Sequence, residues 1–130
     1  MPKKVDKVRN GGEWTQARYN SFVASVLRAG SRRWPPKYKA TKTALAKRQV
    51  NKKTGHMAYH YKCAACTDLF VADDVQVDHI APVVDPAVGF VDWNTFIERL
   101  YCEIAYFQVL CKPCHKLKTA EERSQRKKKT

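Results

Sequence analysis

Apolar residues return at helical spacing near the start of the chain. Between Trp14 and Ala29 the positions Tyr19, Phe22, Val23, Val26 and Leu27 recur three and four apart, which predicts one amphipathic helix. Gly30-Ser31 ends it. Arg32-Arg33-Trp34-Pro35-Pro36 then reads as a stiff extended segment, because each proline fixes its own φ and restrains the residue before it. Tyr38 to about Arg48 predicts a second, shorter and very basic helix. Asn51-Lys52-Lys53-Thr54-Gly55 is a turn signal and places a hairpin between roughly Gln49 and Lys62. Val75-Gln76-Val77-Asp78 alternates apolar and polar like a short strand. Asp92 suits the N-cap of a helix with Phe96, Ile97, Leu100, Tyr101 and Ile104 on one side. Tyr106 to Leu110 is a short apolar strand, and Pro113 onward opens a final helix.

Strands and helices of this kind in 130 residues predict a small single domain of the α+β class. Residues 1–12 are polar, end in Gly11-Gly12 and read as a flexible arm; 13–55 form a basic helical extension; 121–130 are a basic tail. No apolar run approaches the ~20 residues of a membrane span, and no apolar stretch follows the charged N-terminus as a secretory signal requires. The expectation is a soluble protein of the cytoplasm, not bound to a membrane.

Charge sharpens this picture through its distribution. The chain carries 25 Lys and Arg against 12 Asp and Glu, a net charge of +13. No acid occurs between Glu13 and Asp68, while twelve Lys or Arg fall in that interval. From Thr67 to Glu103 the balance reverses, with eight acids and one base, Arg99. A solvated surface normally mixes both signs, so a long carboxylate-free stretch points to a polyanion, whose condensed counterions are released by Lys and Arg contacts. Arg32, Arg33, Lys37 and Lys39 are the candidate contacts in that stretch. Solubility through like-charge repulsion is the plainer alternative.

Five cysteines add a candidate metal centre. Cys63-Ala-Ala-Cys66 and Cys111-Lys-Pro-Cys114 are two C-x-x-C pairs, each able to aim two sulfurs at one point, and together they complete the tetrathiolate that structural zinc prefers. The odd cysteine count and a reducing compartment argue against disulfides. A thioredoxin-like role lacks the surrounding βαβ pattern. Cys102 reads as a buried thiol among apolar helix neighbours. His56 and His60 are near enough to Cys63 to compete as ligands, but with four cysteines available they read as surface residues of the hairpin.

Between and beside the pairs lie Val77-Asp78-His79-Ile80-Ala81-Pro82 and Cys114-His115-Lys116-Leu117-Lys118-Thr119. Asp78 and His115 are oxygen and nitrogen ligands suited to Mg²⁺ or Mn²⁺ beside a phosphate. His79, with an ordinary pKa of ~6.5, is largely neutral at pH 7 and able to take a proton from water. Lys116 and Lys118 flank the site as candidate phosphate contacts. None of the four histidines has a glutamate two residues on, which excludes a zinc nucleobase deaminase.

Cys-x-x-Cys, Val-Asp-His-Ile-x-Pro and Leu-Cys-x-x-Cys-His-x-x-Lys-Thr, spanning Cys63 to Thr119, resemble the HNH endonuclease pattern. The upstream stretch is similar to small phage-borne members, which would place the protein in a host cytoplasm. The resemblance implies a ββα-metal core over residues 56–120, clamped by a structural Zn²⁺ on Cys63, Cys66, Cys111 and Cys114. It implies hydrolysis of phosphodiester bonds in DNA, taken here as double-stranded, with His79 as general base and Asp78 and His115 holding one catalytic Mg²⁺ or Mn²⁺. The chain departs from the pattern at Tyr106, where the family has an asparagine that braces the loop carrying the base; either Asn94 or Gln108 replaces it, or the site is slack and activity is reduced. A non-catalytic zinc-stabilised DNA- or RNA-binding protein fits the charge and cysteines equally well, and Tyr106 favours it, but it leaves Asp78, His79 and His115 unexplained.

Overall fold

The computed structural model describes residues 5–128, so the first four residues of the expected arm and the last two of the basic tail lie outside the described residues. The chain divides into two compact units between Arg33 and Trp34.

In the first unit, β1 (Lys7–Arg9) pairs antiparallel with β2 (Trp14–Thr15), and α1 (Gln16–Ser31) follows at once. An ordered hairpin therefore takes in the last residues of the expected flexible arm and closes just beyond it. The Gly11-Gly12 pair, read as a mark of flexibility, is what allows it. Asn10, Gly11 and Gly12 take φ values of 51°, 61° and 86°, a left-handed run that glycine adopts without strain. Thr15 caps α1, its hydroxyl oxygen accepting from the Arg18 amide at 3.1 Å. Trp14 meets Phe22 edge-on at 5.5 Å, while Arg9 lies over Tyr19 and Arg18 over Trp14. The helix continues through Gly30 to Ser31, two residues past the predicted stop.

The second unit begins with α2 (Pro35–Thr43). The two prolines occupy the first helical turn, where a missing N–H is no loss and a fixed φ is already helical, so the segment read as extended starts a helix instead. The helix stops at Thr43. Leu45–Val50, expected to prolong it through Arg48, forms β3 and pairs with β4 (Met57–Lys62), which in turn pairs with β5 (Leu69–Val71). The 55/56 line drawn from sequence falls inside the β3–β4 turn. A 3₁₀ turn at Ala72–Asp74 leads to β6 (Val75–His79). The acidic segment between the strands carries α3 (Trp93–Leu100), capped by Asp92, whose carboxylate accepts from the Thr95 amide at 2.7 Å. Phe96 and Leu100 point inward from it, whereas Ile97 and Ile104 stay exposed. After a 3₁₀ turn at Ile104–Tyr106, β7 (Phe107–Cys111) pairs antiparallel with β6, and α4 (Lys112–Lys128) follows with no intervening loop.

This is an α+β chain. Its tightest cluster is Cys63, Leu110 and Cys111, against which Phe70 and Cys114 pack. Among the described residues no helix is long and apolar enough to cross a membrane.

Candidate functional site

Cys63 follows the last residue of β4, and its knuckle is closed by backbone bonds. The Thr67 amide donates to the Cys63 carbonyl and the Cys63 amide to the Asp68 carbonyl, both at 3.0 Å, with Thr67 left-handed at φ 65°. The Ala64 amide donates to the Val109 carbonyl at 2.8 Å, tying the knuckle to β7. On the other side Cys111 ends β7 and Cys114 sits in the first turn of α4. The four sulfurs lie within 4.8 Å of one another, and Cys66 Sγ is 3.9 Å from Cys111 Sγ. A tetrahedral ion with Zn–S bonds of ~2.3 Å needs sulfurs ~3.8 Å apart, so the donor set fits zinc. This is the centre that the cysteine spacing predicts.

Its electrostatics call for a cation. Burial pushes the Cys63 thiol up, but amides of Cys111, Cys66 and Ala65 aimed at the sulfur outweigh that and bring it to about 6. Cys114 is pushed up to about 12, chiefly by its neighbour Cys111. Four sulfurs this close cannot all ionise by themselves, and a divalent ion removes the conflict. Cys102 lies past the end of α3, outside the cluster, with burial raising its thiol. His60 is buried rather than on the surface. Its Nδ1 donates to the Ala58 carbonyl at 2.9 Å, and neither it nor His56 joins the four sulfurs.

A second constellation shares the same β7–α4 junction. Asp78 and His79 end β6, and His115 follows Cys114 on α4. Asp78 Oδ1 lies 3.8 Å from His115 Nε2. At ~2.1 Å per bond, two ligands of one octahedral ion stand ~3.0 Å apart when adjacent and ~4.2 Å when opposite, and this separation matches neither. Among the described residues no third histidine, cysteine or carboxylate converges with them; the four cysteines form the one group of three or more. The other carboxylate oxygen of Asp78 receives the Lys118 ammonium at 2.7 Å. Gln108, paired across the strands from Asp78, donates to that oxygen at 3.4 Å.

His79 stands on the other side of this centre. Its Nε2 lies 2.9 Å from the Leu100 carbonyl, which can only accept, so Nε2 carries the proton and Nδ1 keeps its lone pair. Burial lowers its pKa below the ordinary value, helped by the charges of Lys37 and Lys118 and opposed by the Leu100 bond and Asp78. The ring packs on Phe107 and borders a cleft of about 440 Å³ lined also by Ala81, Glu98, Arg99, Tyr101, Cys102, Glu103 and Tyr106. A neutral imidazole at the edge of an open cleft is equipped to accept a proton from water.

The structure brings together Asp78, His115 and Lys118, while the His79 ring turns to Leu100 and Phe107 and meets Lys118 only through its carbonyl. Lys118 also differs from its sequence reading. Besides Asp78, its ammonium donates to the His79 carbonyl at 2.7 Å and pairs with Glu122 at 3.0 Å. It is an internal tie between α4 and the end of β6. The spacing of Lys118 and Glu122, one helical turn apart, is the signal that could have revealed it. Lys39 and Lys116 are exposed on α2 and α4; Arg32 and Arg33, also exposed, belong to the first unit. Tyr106 points outward, 64% exposed, and only its carbonyl braces the loop, accepting from the Ile80 amide at 2.9 Å. Of the two substitutes considered for the missing asparagine, Gln108 reaches Asp78, and Asn94 is an exposed residue of α3. Compared with known proteins, the chain matches no family model, no curated protein and no solved structure.

Proposed function

We propose that this is a zinc-clamped DNA-binding protein and, as the finer reading, that Asp78, His79 and His115 hydrolyse phosphodiester bonds, an endonuclease of the HNH type. The observation that carries the catalytic half is the order β6, β7, α4. An antiparallel pair followed directly by a helix sets Asp78 Oδ1 3.8 Å from His115 Nε2, with the imidazole of His79 on the adjoining residue. Mg²⁺ or Mn²⁺ held by Asp78 and His115 would act as a Lewis acid toward a phosphate oxygen. His79, kept neutral by burial and oriented by the Leu100 carbonyl, would draw the proton from the attacking water onto Nδ1. Lys118 fixes the backbone at His79, and Lys37 adds positive potential on that side. The binding half draws its support from the twelve basic and no acidic residues between Glu13 and Asp68.

Binding without cleavage is the second reading, and one observation favours it. The Lys118 ammonium already satisfies Asp78, the carboxylate a catalytic ion needs, and no third ligand converges there among the described residues. In that reading Asp78, Lys118 and Glu122 are a brace between strand and helix. Supercoiled plasmid incubated with zinc-loaded protein, with and without Mg²⁺, separates the two. The nuclease reading expects Mg²⁺-dependent open circles from the wild type and none from His79→Ala, with both retarding a DNA duplex equally. Retardation with no nicking under any divalent ion would leave binding alone.

A further inference from the structure

The β3–β4 hairpin is longer than the sheet that holds it. β5 pairs only with His60–Lys62, so the outer part of the hairpin projects as a two-stranded ribbon, with Arg48 opposite Tyr59, Gln49 opposite Ala58 and Val50 opposite Met57. Alternation along a strand puts Arg48, Val50, Met57 and Tyr59 on one face. That face is bare: Val50 is 52% exposed, Met57 50% and Tyr59 58%, and Arg48 is exposed beside them. Gln49 and Ala58 on the opposite face are half-buried.

The tip is ordered by its own hydrogen bonds. The Asn51 amide donates to the His56 carbonyl at 2.8 Å, and the Gly55 amide donates to the Asn51 carbonyl at 2.7 Å. Gly55 takes φ 76°, which this turn demands. Lys53 steadies the tip from the side through Asp74 at 3.2 Å, leaving Lys52 exposed at the end. Charges on an edge strand commonly serve only to block pairing with other chains. That role does not call for a methionine, a valine and a tyrosine laid bare on the same face.

We infer that this ribbon is a docking element that enters the major groove of duplex DNA, with Arg48 and Lys52 meeting phosphates or base edges and the Tyr59–Met57 face lying against the groove wall. Charge complementarity selects the occupant, since residues 45–62 carry five Lys or Arg and no acid. Size agrees: three paired positions at ~3.4 Å each reach ~10 Å, against a groove ~8.5 Å deep and ~12 Å wide that admits a two-stranded ribbon. The inference rests on the DNA-binding half of the proposed function and is independent of cleavage.

The test is fluorescence anisotropy of a labelled duplex with the full zinc-loaded chain, without Mg²⁺, across a salt series. Arg48→Ala combined with Lys52→Ala should weaken binding about tenfold or more and reduce the slope of log affinity against log salt by about two. Tyr59→Ala should weaken binding while leaving that slope in place. All three positions are exposed, and zinc content with circular dichroism verifies that each variant is folded. Wild-type affinity and slope in both variants would overturn the ribbon assignment while DNA binding stood. Tighter binding to a single strand or to RNA of the same length would overturn groove docking. A wild-type protein that binds no duplex would remove the DNA-binding reading and the ribbon with it.

Discussion

The tetrathiolate cluster and the Asp78–His115 pocket flank the same strand-to-helix junction, yet they are built on opposite principles. The cluster offers four ligands of one kind, two of them almost fully buried, and without a cation its sulfurs conflict. The Asp78–His115 pair offers two unlike groups, and its carboxylate is already satisfied by Lys118. A site in conflict without its ion gains folding free energy when the ion arrives, whereas a site with an internal substitute for the ion is stable either way. The same junction can thus carry one metal that belongs to the fold and, on the proposed reading, a second that exchanges freely.

The largest expected effect breaks the first side of this contrast. Cys111→Ser removes a buried ligand and should cost the chain both its zinc and its cooperative thermal transition, read by metal analysis and circular dichroism. A zinc-free variant with native ellipticity would show that the clamp does not hold the fold. His79→Ala addresses the other side: nicking should fall by about 10²–10⁴-fold with zinc retained and the fold intact by circular dichroism, the melting temperature dropping only for the lost Leu100 bond and Phe107 contact. Lys118→Met sharpens the comparison. It leaves Glu122 and the His79 carbonyl without their donor and Asp78 with Gln108 alone, and should lower stability by about 1–2 kcal/mol in urea denaturation with zinc retained. An unchanged midpoint would mean that the pocket does not depend on its lysine. The smallest effect lies outside both centres. The Thr95 amide holds the Asp92 carboxyl below its ordinary value, so the cap stabilises above pH ~3.9 and its contribution is lost as pH falls through the depressed folded value. Asp92→Ala should therefore lower the melting temperature slightly at pH 7 and leave it unchanged at strongly acid pH.

Features with a local chemical cause were legible in the sequence. The two cysteine pairs, the Asp92 cap, the Asn51–Gly55 turn and the position of His115 beside Cys114 all follow from neighbours a few residues apart. Misreadings arose where distant partners decide. Ala44-Leu45-Ala46-Lys47 favours a helix by propensity, and only pairing with β4, a dozen residues on, makes Leu45–Val50 a strand. Leu69–Val71 is too short an apolar run to announce β5. The two prolines were read for stiffness when their place in a first helical turn mattered more. Lys118 looked like a free cation until the register of β6 against β7 and the packing of α4 brought Asp78 and the His79 carbonyl to it. His60 is buried by the sheet, which nothing in its neighbours signals.

The distinction between a closed metal centre and an exchangeable one is tested most directly by titrating zinc-loaded protein with Mn²⁺ and following the free-ion signal by electron paramagnetic resonance. The account predicts one Mn²⁺ bound per chain, lost in Asp78→Asn while zinc stays in place. Absence of Mn²⁺ binding, or a site that survives Asp78→Asn, would contradict it.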